Sequence, residues 1–360
     1  MPRHLTTALC GLALLCVTML ALAEAVPLDD RDWRDVRSAN FRILSVLGEE
    51  RTAELLRHLE IMRATLGDAG EESTWTAGMP TVIVALDDHD DYVSIGAPAN
   101  SAGFFFADLR ENAILIEDNR ESSGVQVMLH EYAHYLSKQG GRIRYPRWFE
   151  EGNAEYLSYS RVGNDTFEYG LAPQQYLATL NFVPWMPLSK ILEVANAFAL
   201  DSDEGSLFYA QSWLLVHYLR SLPDADINLP AQLAEYARLV SEGVAPVAAF
   251  EDAFGYDVDQ LEDELLQYYM NREFSSRVVP ADTALPGFST RVVAMTPAAA
   301  QLVLARMALR FDSLDAADDW FTRVLEDDEL RAHAEAGLGR IAGLRGDVDA
   351  ASERFEAAIR

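Results

Sequence analysis

At 360 residues, 49% of them apolar, the chain is long enough to bury at least one full core, and its length suggests two domains or so. Its formal net charge of −28 argues against nucleic acid or an anionic membrane as a partner, since either needs a cationic face, and self-repulsion keeps such a chain in solution. The same acidity could favour basic substrates, but an acidic surface is more often plain solvation.

Met1-Pro-Arg-His precedes an apolar run from Ala8 to Leu22 that ends in small residues, Ala21-Leu-Ala23 and Ala23-Glu-Ala25. This pattern predicts a cleavable signal peptide over residues 1–25 and export to the periplasm or the extracellular space. An uncleaved anchor is the weaker reading, because the run is short for a span and Asp29-Asp30-Arg31-Asp32 follows it. No stable membrane span is therefore expected after cleavage. Cys10 and Cys16 both fall in the leader, so the mature chain would have neither disulfides nor a cysteine nucleophile.

From Ser38 to Glu121 strand and helix signals alternate. Phe41 to Val46 reads as a strand, Glu49 to Leu66 as an amphipathic helix, and Pro80 to Leu86 as a buried strand. Ser101 to Ala107 and Asn112 to Glu117 read as a strand pair across a polar turn at Asp108 to Glu111. Together they predict a mixed sheet ahead of the next helix.

That helix carries His130-Glu131-Tyr-Ala-His134. Val125, Met128, Leu129, Tyr132, Ala133 and Leu136 supply its apolar stripe, Ser122 or Ser123 its N-cap, and Gly140-Gly141 its stop. Residues four apart share a helix face, so His130 and His134 can offer both imidazoles to one cation. Glu131 points to the side of that pair, placed to reach a water held by the metal. A chance match to this pattern is expected on the order of once in a hundred such chains. A second helix opens at Pro146, whose fixed φ suits a first turn, and carries Glu150, Glu151 and Glu155. Arg142, Arg144 and Arg147 lie between the two motifs; they could bind a substrate carboxylate or phosphate, although pairing with nearby acids is favoured in so acidic a chain.

His130-Glu-Tyr-Ala-His134 followed by Trp148-Phe-Glu-Glu-Gly-Asn-Ala-Glu155-Tyr resembles the gluzincin zinc metallopeptidases of the MA clan. The resemblance implies an α+β peptidase domain over 30–275, with a mixed sheet, active-site helices and a helical lobe. It implies one zinc ion held by His130, His134 and Glu151, with Glu131 as general base. It also makes Glu155 the second carboxylate that holds the first histidine's tautomer; Glu150 is then spare and reads, on general surface rates, as a solvated or cap-proximal charge. Gly103 to Ala107 is the candidate edge strand for gripping a peptide backbone by strand addition. The aminopeptidase branch carries G-x-M-E-N at this place, whereas this chain has Gly103-Phe-Phe-Phe-Ala, which favours endopeptidase activity on a peptide or protein substrate. Glu117 and Asp118 could substitute for the missing acid, although a strand-end acid is usually just solvated.

From Ala172 to Arg272 the pattern is helical, with segments at Leu188–Ala195, Gly205–Leu222, Leu229–Val240, Val244–Phe254 and Asp257–Met270. A gluzincin needs a downstream donor for the oxyanion. Tyr209 is the first candidate and His217 the second, each weighed against ordinary core packing. His58, His89 and His333 read as surface residues. Residues 276–297, rich in proline, read as a linker. Beyond it, over 298–360, Leu304, Ala317, Phe321 and Leu325 recur 34 residues later as Leu338, Ala351, Phe355 and Ile359, a period that resembles tetratricopeptide helix pairs. Two such repeats are marginal alone and are expected to dock on the peptidase domain, self-associate or bind another protein. The rival to an enzyme is an inactive peptidase-like scaffold of the cell envelope acting through these repeats.

Overall fold

The computed structural model describes residues 26–68, 81–107, 112–119, 123–139, 144–223, 227–282, 285 and 288–360. The expected leader, Ser122 as a cap, the turn at 108–111, the Gly140-Gly141 stop and Arg142 lie outside the described residues. The chain is α+β. Its first part runs β1 (Arg34–Arg37), β2 (Arg42–Ser45), α1 (Glu49–Asp68), β3 (Thr81–Leu86), α2 (His89–Ser94), β4 (Gly103–Phe106) and β5 (Asn112–Glu117). Then come α3 (Gly124–Gln139), α4 (Arg147–Ser158), β6 (Ser160–Val162) and β7 (Thr166–Tyr169). A helical stretch follows: α5 (Gln174–Phe182), α6 (Leu188–Glu193), α7 (Ser202–Ser221), α8 (Leu229–Ser241), α9 (Pro246–Phe254) and α10 (Val258–Asn271). The chain closes with β8 (Arg277–Pro280), β9 (Arg291–Ala294), α11 (Pro297–Arg310), α12 (Leu314–Val324), α13 (Arg331–Leu344) and α14 (Val348–Ile359).

Six strands form one mixed sheet in the order β4-β5-β3-β2-β1-β9, with β2, β3 and β5 mutually parallel and the other pairings antiparallel. Successive side chains on a strand point to opposite faces, and here both faces are covered. Ile83, Ala85, Ile114 and Ile116 point into a core shared with Leu55, Leu56, Leu59 and Met62 of α1 and Met128, Leu129 and Tyr132 of α3. Val84, Leu86, Ala113 and Leu115 point the other way, into a second core with Leu304 and Ala308 of α11, Phe321 of α12 and Leu338 of α13. That double cover explains why β3 and β5 read as unbroken apolar runs.

The segment 276–297, expected as a linker, is instead part of two sheets. β8 pairs with β7, and β9 takes the outer position beside β1. Each is a four-residue strand beginning Arg-Val-Val, too short to register against the flanking prolines in a local reading. Pro280 ends its strand, where a missing amide costs little. The helices beyond it dock on the sheet. Asp29, 4% exposed, accepts from Gln301 Nε2 at 2.9 Å and Arg323 Nη1 at 3.3 Å, which ties the first described turn to α11 and α12. Within the helical layer Gly337 makes room for the Phe321 ring, to which a Cβ there would stand at 2.3 Å. Phe355, the counterpart of Phe321 one repeat later, is 44% exposed because no further helix covers it in the described chain.

Behind α4 runs α7. Gly152 lets the two backbones touch: a Cβ there would lie 2.3 Å from Ser212 O. This contact sets the depth at which α4 sits, and therefore where its acidic side chains end.

Removing residues 298–360 should uncover Leu44, Val84, Leu86, Ala113 and Leu115 together. The truncated chain is expected to aggregate and to lose its cooperative thermal transition, measured by soluble yield and circular dichroism. A soluble truncated chain that melts like the parent would show that the helices are dispensable to the core.

Candidate metal centre

His130 and His134 lie one turn apart on α3, and their Nε2 atoms approach to 3.1 Å with the ring planes at 88°. From α4, Glu151 Oε2 reaches 3.3 Å from His130 Nε2 and 3.5 Å from His134 Nε2. These three residues form a group whose ligand atoms all lie within 4.8 Å of one another, able to hold a metal ion. Glu151 is 1% exposed. Two imidazole lone pairs and a carboxylate oxygen aimed at one buried point repel each other unless a cation sits among them. Burial works against a charged His130, yet Glu155, Glu151 and Glu131 outweigh it and hold its pKa well above the ordinary range. Glu151 is likewise opposed by burial but held well below the usual carboxylate range by His134 and His130. The donor set, two nitrogens and one oxygen, fits a divalent ion of borderline softness.

The neighbours of this group fix its orientation. Glu155, one turn beyond Glu151 on α4, places Oε1 3.0 Å from His130 Nδ1. Its other oxygen accepts from Gln126 Nε2 at 3.3 Å, and Tyr176 of α5 lines the same cleft, near enough for Glu155 to help burial raise its hydroxyl's pKa. A proton on Nδ1 leaves Nε2 as the bare ligand nitrogen. Arg147 Nη2 lies 2.7 Å from Glu151 Oε1, so the favoured reading of that arginine, pairing with an acid, describes it. Arg144 is exposed. Glu150, read as a solvated or cap-proximal charge, is partly buried, accepts from Arg147 Nη1 at 3.4 Å and does not line the cleft.

Glu131 is buried, and burial raises its pKa, with His130 and His134 pulling the other way. Its carboxylate lies under β4. A Cβ at Gly103 would stand 2.6 Å from Val127 Cγ1 and 2.9 Å from Glu131 Oε1, so any larger residue on the outermost strand would push these side chains aside. The resulting cleft, about 550 Å³, is bounded by β4 on one side and by Arg147, Tyr176, Asn196 and Tyr209 on the others.

Tyr209 of α7 reaches this cleft, its ring 6.4 Å from that of His130. Burial, reinforced by Glu151, pushes its hydroxyl far up, so it remains a proton donor. His217, the second candidate, does not reach the cleft. It is 1% exposed further along α7, against Tyr156 of α4, with Nε2 donating to Gly170 O at 3.1 Å and Nδ1 accepting from Tyr268 Oη at 2.7 Å. Two turns of helix past Tyr209 carry it into the core. Glu117 and Asp118 are also committed elsewhere: Glu117 to His89 Nδ1 at 2.6 Å and to Asn119, Asp118 to Arg51 and the Gly124 amide at the start of α3. His89, read as a plain surface residue, is therefore the partner of a buried acid.

Sequence reasoning missed Gln126 and Tyr176. Gln126 stands four residues before His130 on the same helix face, a spacing that was there to be read. Tyr176 had no local signal, since packing of α5 against α7 brings it in. Compared with known proteins, the chain matches no family model, and no curated protein matches its sequence.

Burial holds His217 near pKa 4, below the ordinary 6.5. The unfolded chain therefore binds the extra proton more readily, and stability from this residue is full above about pH 6.5 and lost as pH falls through about 4. Denaturant unfolding of the parent should weaken over that window. His217→Gln should cost about 1–3 kcal/mol at pH 7 and flatten this slope.

Proposed function

We propose that this chain is a zinc-dependent endopeptidase of the gluzincin type. The observation that carries the reading is the convergence of His130, His134 and Glu151 on one point, with Glu131 and Tyr209 in the same cleft beside an outer strand. Two imidazoles and one carboxylate with room left for a water suit zinc. When bound, zinc would acidify that water and polarise the scissile carbonyl.

The chain's own residues do the rest. Glu131, with its pKa raised by burial, takes the proton of the attacking water and passes it to the leaving amine. Glu155 holds the His130 tautomer, and the protonated Tyr209 hydroxyl donates to the developing oxyanion. β4 occupies one edge of its sheet and presents backbone groups along the cleft, which suits a peptide bound in extended form. The acids among the described cleft-lining residues are Glu131, Glu151 and Glu155, all used at the centre itself. None is left to anchor a free amino terminus, which supports internal cleavage.

The signal-peptide pattern supports export, and among the described residues no helix is long and apolar enough to cross a membrane. The 34-residue period and the paired helices α11–α14 support a tetratricopeptide-like layer. One observation favours the scaffold reading in part: Leu344, Val348, Phe355 and Ile359 remain exposed at its outer end, a surface open to a protein partner or a second copy.

Glu131→Gln separates the two readings. It should retain zinc but lower kcat for peptide-library cleavage by about a hundredfold or more, and a chelator should abolish cleavage by the parent. Tyr209→Phe should lower kcat by about 10²–10³ with KM little changed. Turnover that survives Glu131→Gln would remove the mechanism. A parent inert across the library would favour the scaffold.

A further inference from the structure

Among the described residues lining the cleft, Arg147 is the only arginine or lysine. It approaches Glu151 from one turn earlier on α4 and stands 2.7 Å from Oε1, while Oε2 faces both imidazoles. The glutamate thus divides its two oxygens between two cationic positions, one filled permanently by a guanidinium and one open to exchange. Glu151 is 1% exposed and Arg147 27%, so the pair is shielded enough for its charges to matter. Arginine cannot give up its proton in a protein, so this compensation persists at every pH.

We propose that Arg147 stands in for the metal in the metal-free chain. It keeps the buried Glu151 compensated, so the centre is formed before any ion arrives. It also repels the incoming dication and holds the affinity below what His130, His134 and Glu151 alone would give. The idea rests on reading the centre as a zinc site. It differs from a merely orienting role in sign: a partner that only aims a ligand raises metal affinity, whereas a fixed positive charge beside the ligand lowers it.

Two variants separate charge from orientation. Arg147→Gln removes the charge and leaves a neutral polar side chain in its place, while Arg147→Lys keeps the charge. Zinc affinity is read by competition with a chromophoric chelator, and thermal midpoints are taken with and without zinc. Arg147→Gln should melt earlier than the parent when metal-free, gain more from saturating zinc than the parent gains, and bind zinc about tenfold or more tightly. Arg147→Lys should stay close to the parent in both respects. Affinity that is unchanged in Arg147→Gln, or that falls roughly 10–100-fold as for a lost orienting partner, overturns the proposal. If Arg147→Gln does not fold without metal, zinc release from the loaded variant into excess chelator decides: slower release than the parent upholds it, equal or faster release overturns it. A parent that takes up no zinc overturns the zinc reading and this inference with it. A parent that binds, beside a Gln variant that binds no more tightly, overturns the role of Arg147 alone.

Discussion

Burying carboxylates in a chain that already carries a net charge of −28 is the constraint on which the architecture turns. Glu131, Glu151 and Glu155 are all under 9% exposed, within one cluster. Each is tolerable only because something positive or proton-donating faces it: the two imidazoles, Arg147, Gln126 and the Tyr176 hydroxyl. Those partners come from α3, α4 and α5, so the cluster also fixes how these helices stand against each other.

The supporting geometry is close approach at two glycines, backbone against backbone at Gly152 and backbone against side chains at Gly103. Gly152 brings α4 onto α7, and Gly103 brings β4 onto α3. The first contact sets the depth of Glu151 and Glu155, and the second sets the roof over Glu131. Both glycines sit within or beside the sequence motif, yet neither offers a side chain to the chemistry. Their contribution is the space left by a missing Cβ.

How much of this was legible in the sequence follows from how local each feature is. His130 and His134 were readable because helical periodicity places residues four apart on one face, whereas Glu151 and Glu155 were picked out by the resemblance of their motif, and the packing of α4 on α3 brings the four together. β2, β3, β4, β5 and α1 were readable from apolar runs of ordinary length. The strands β1, β8 and β9 were not, since four residues carry little pattern; β8 and β9 find their partners far along the chain, while β1 pairs with neighbouring β2 on one edge and distant β9 on the other. The start of α7 lay earlier than the apolar pattern suggested, because Asp201 caps it and Asp203 and Glu204 fill its first turn. Tyr209 and His217 lie on one helix, and only packing shows that one faces the cleft and the other the core.

The pairing of β9 with β1 joins a strand near the start of the chain to one close to its last fifth, and the helices that follow close the adjoining core. During synthesis the earliest strands therefore wait for β9, with one apolar face of the sheet open until α11 to α13 emerge. Contacts spanning such separations are slow to form and leave intermediates prone to aggregate. A newly made chain thus cannot bury that face before α11 to α13 have been made.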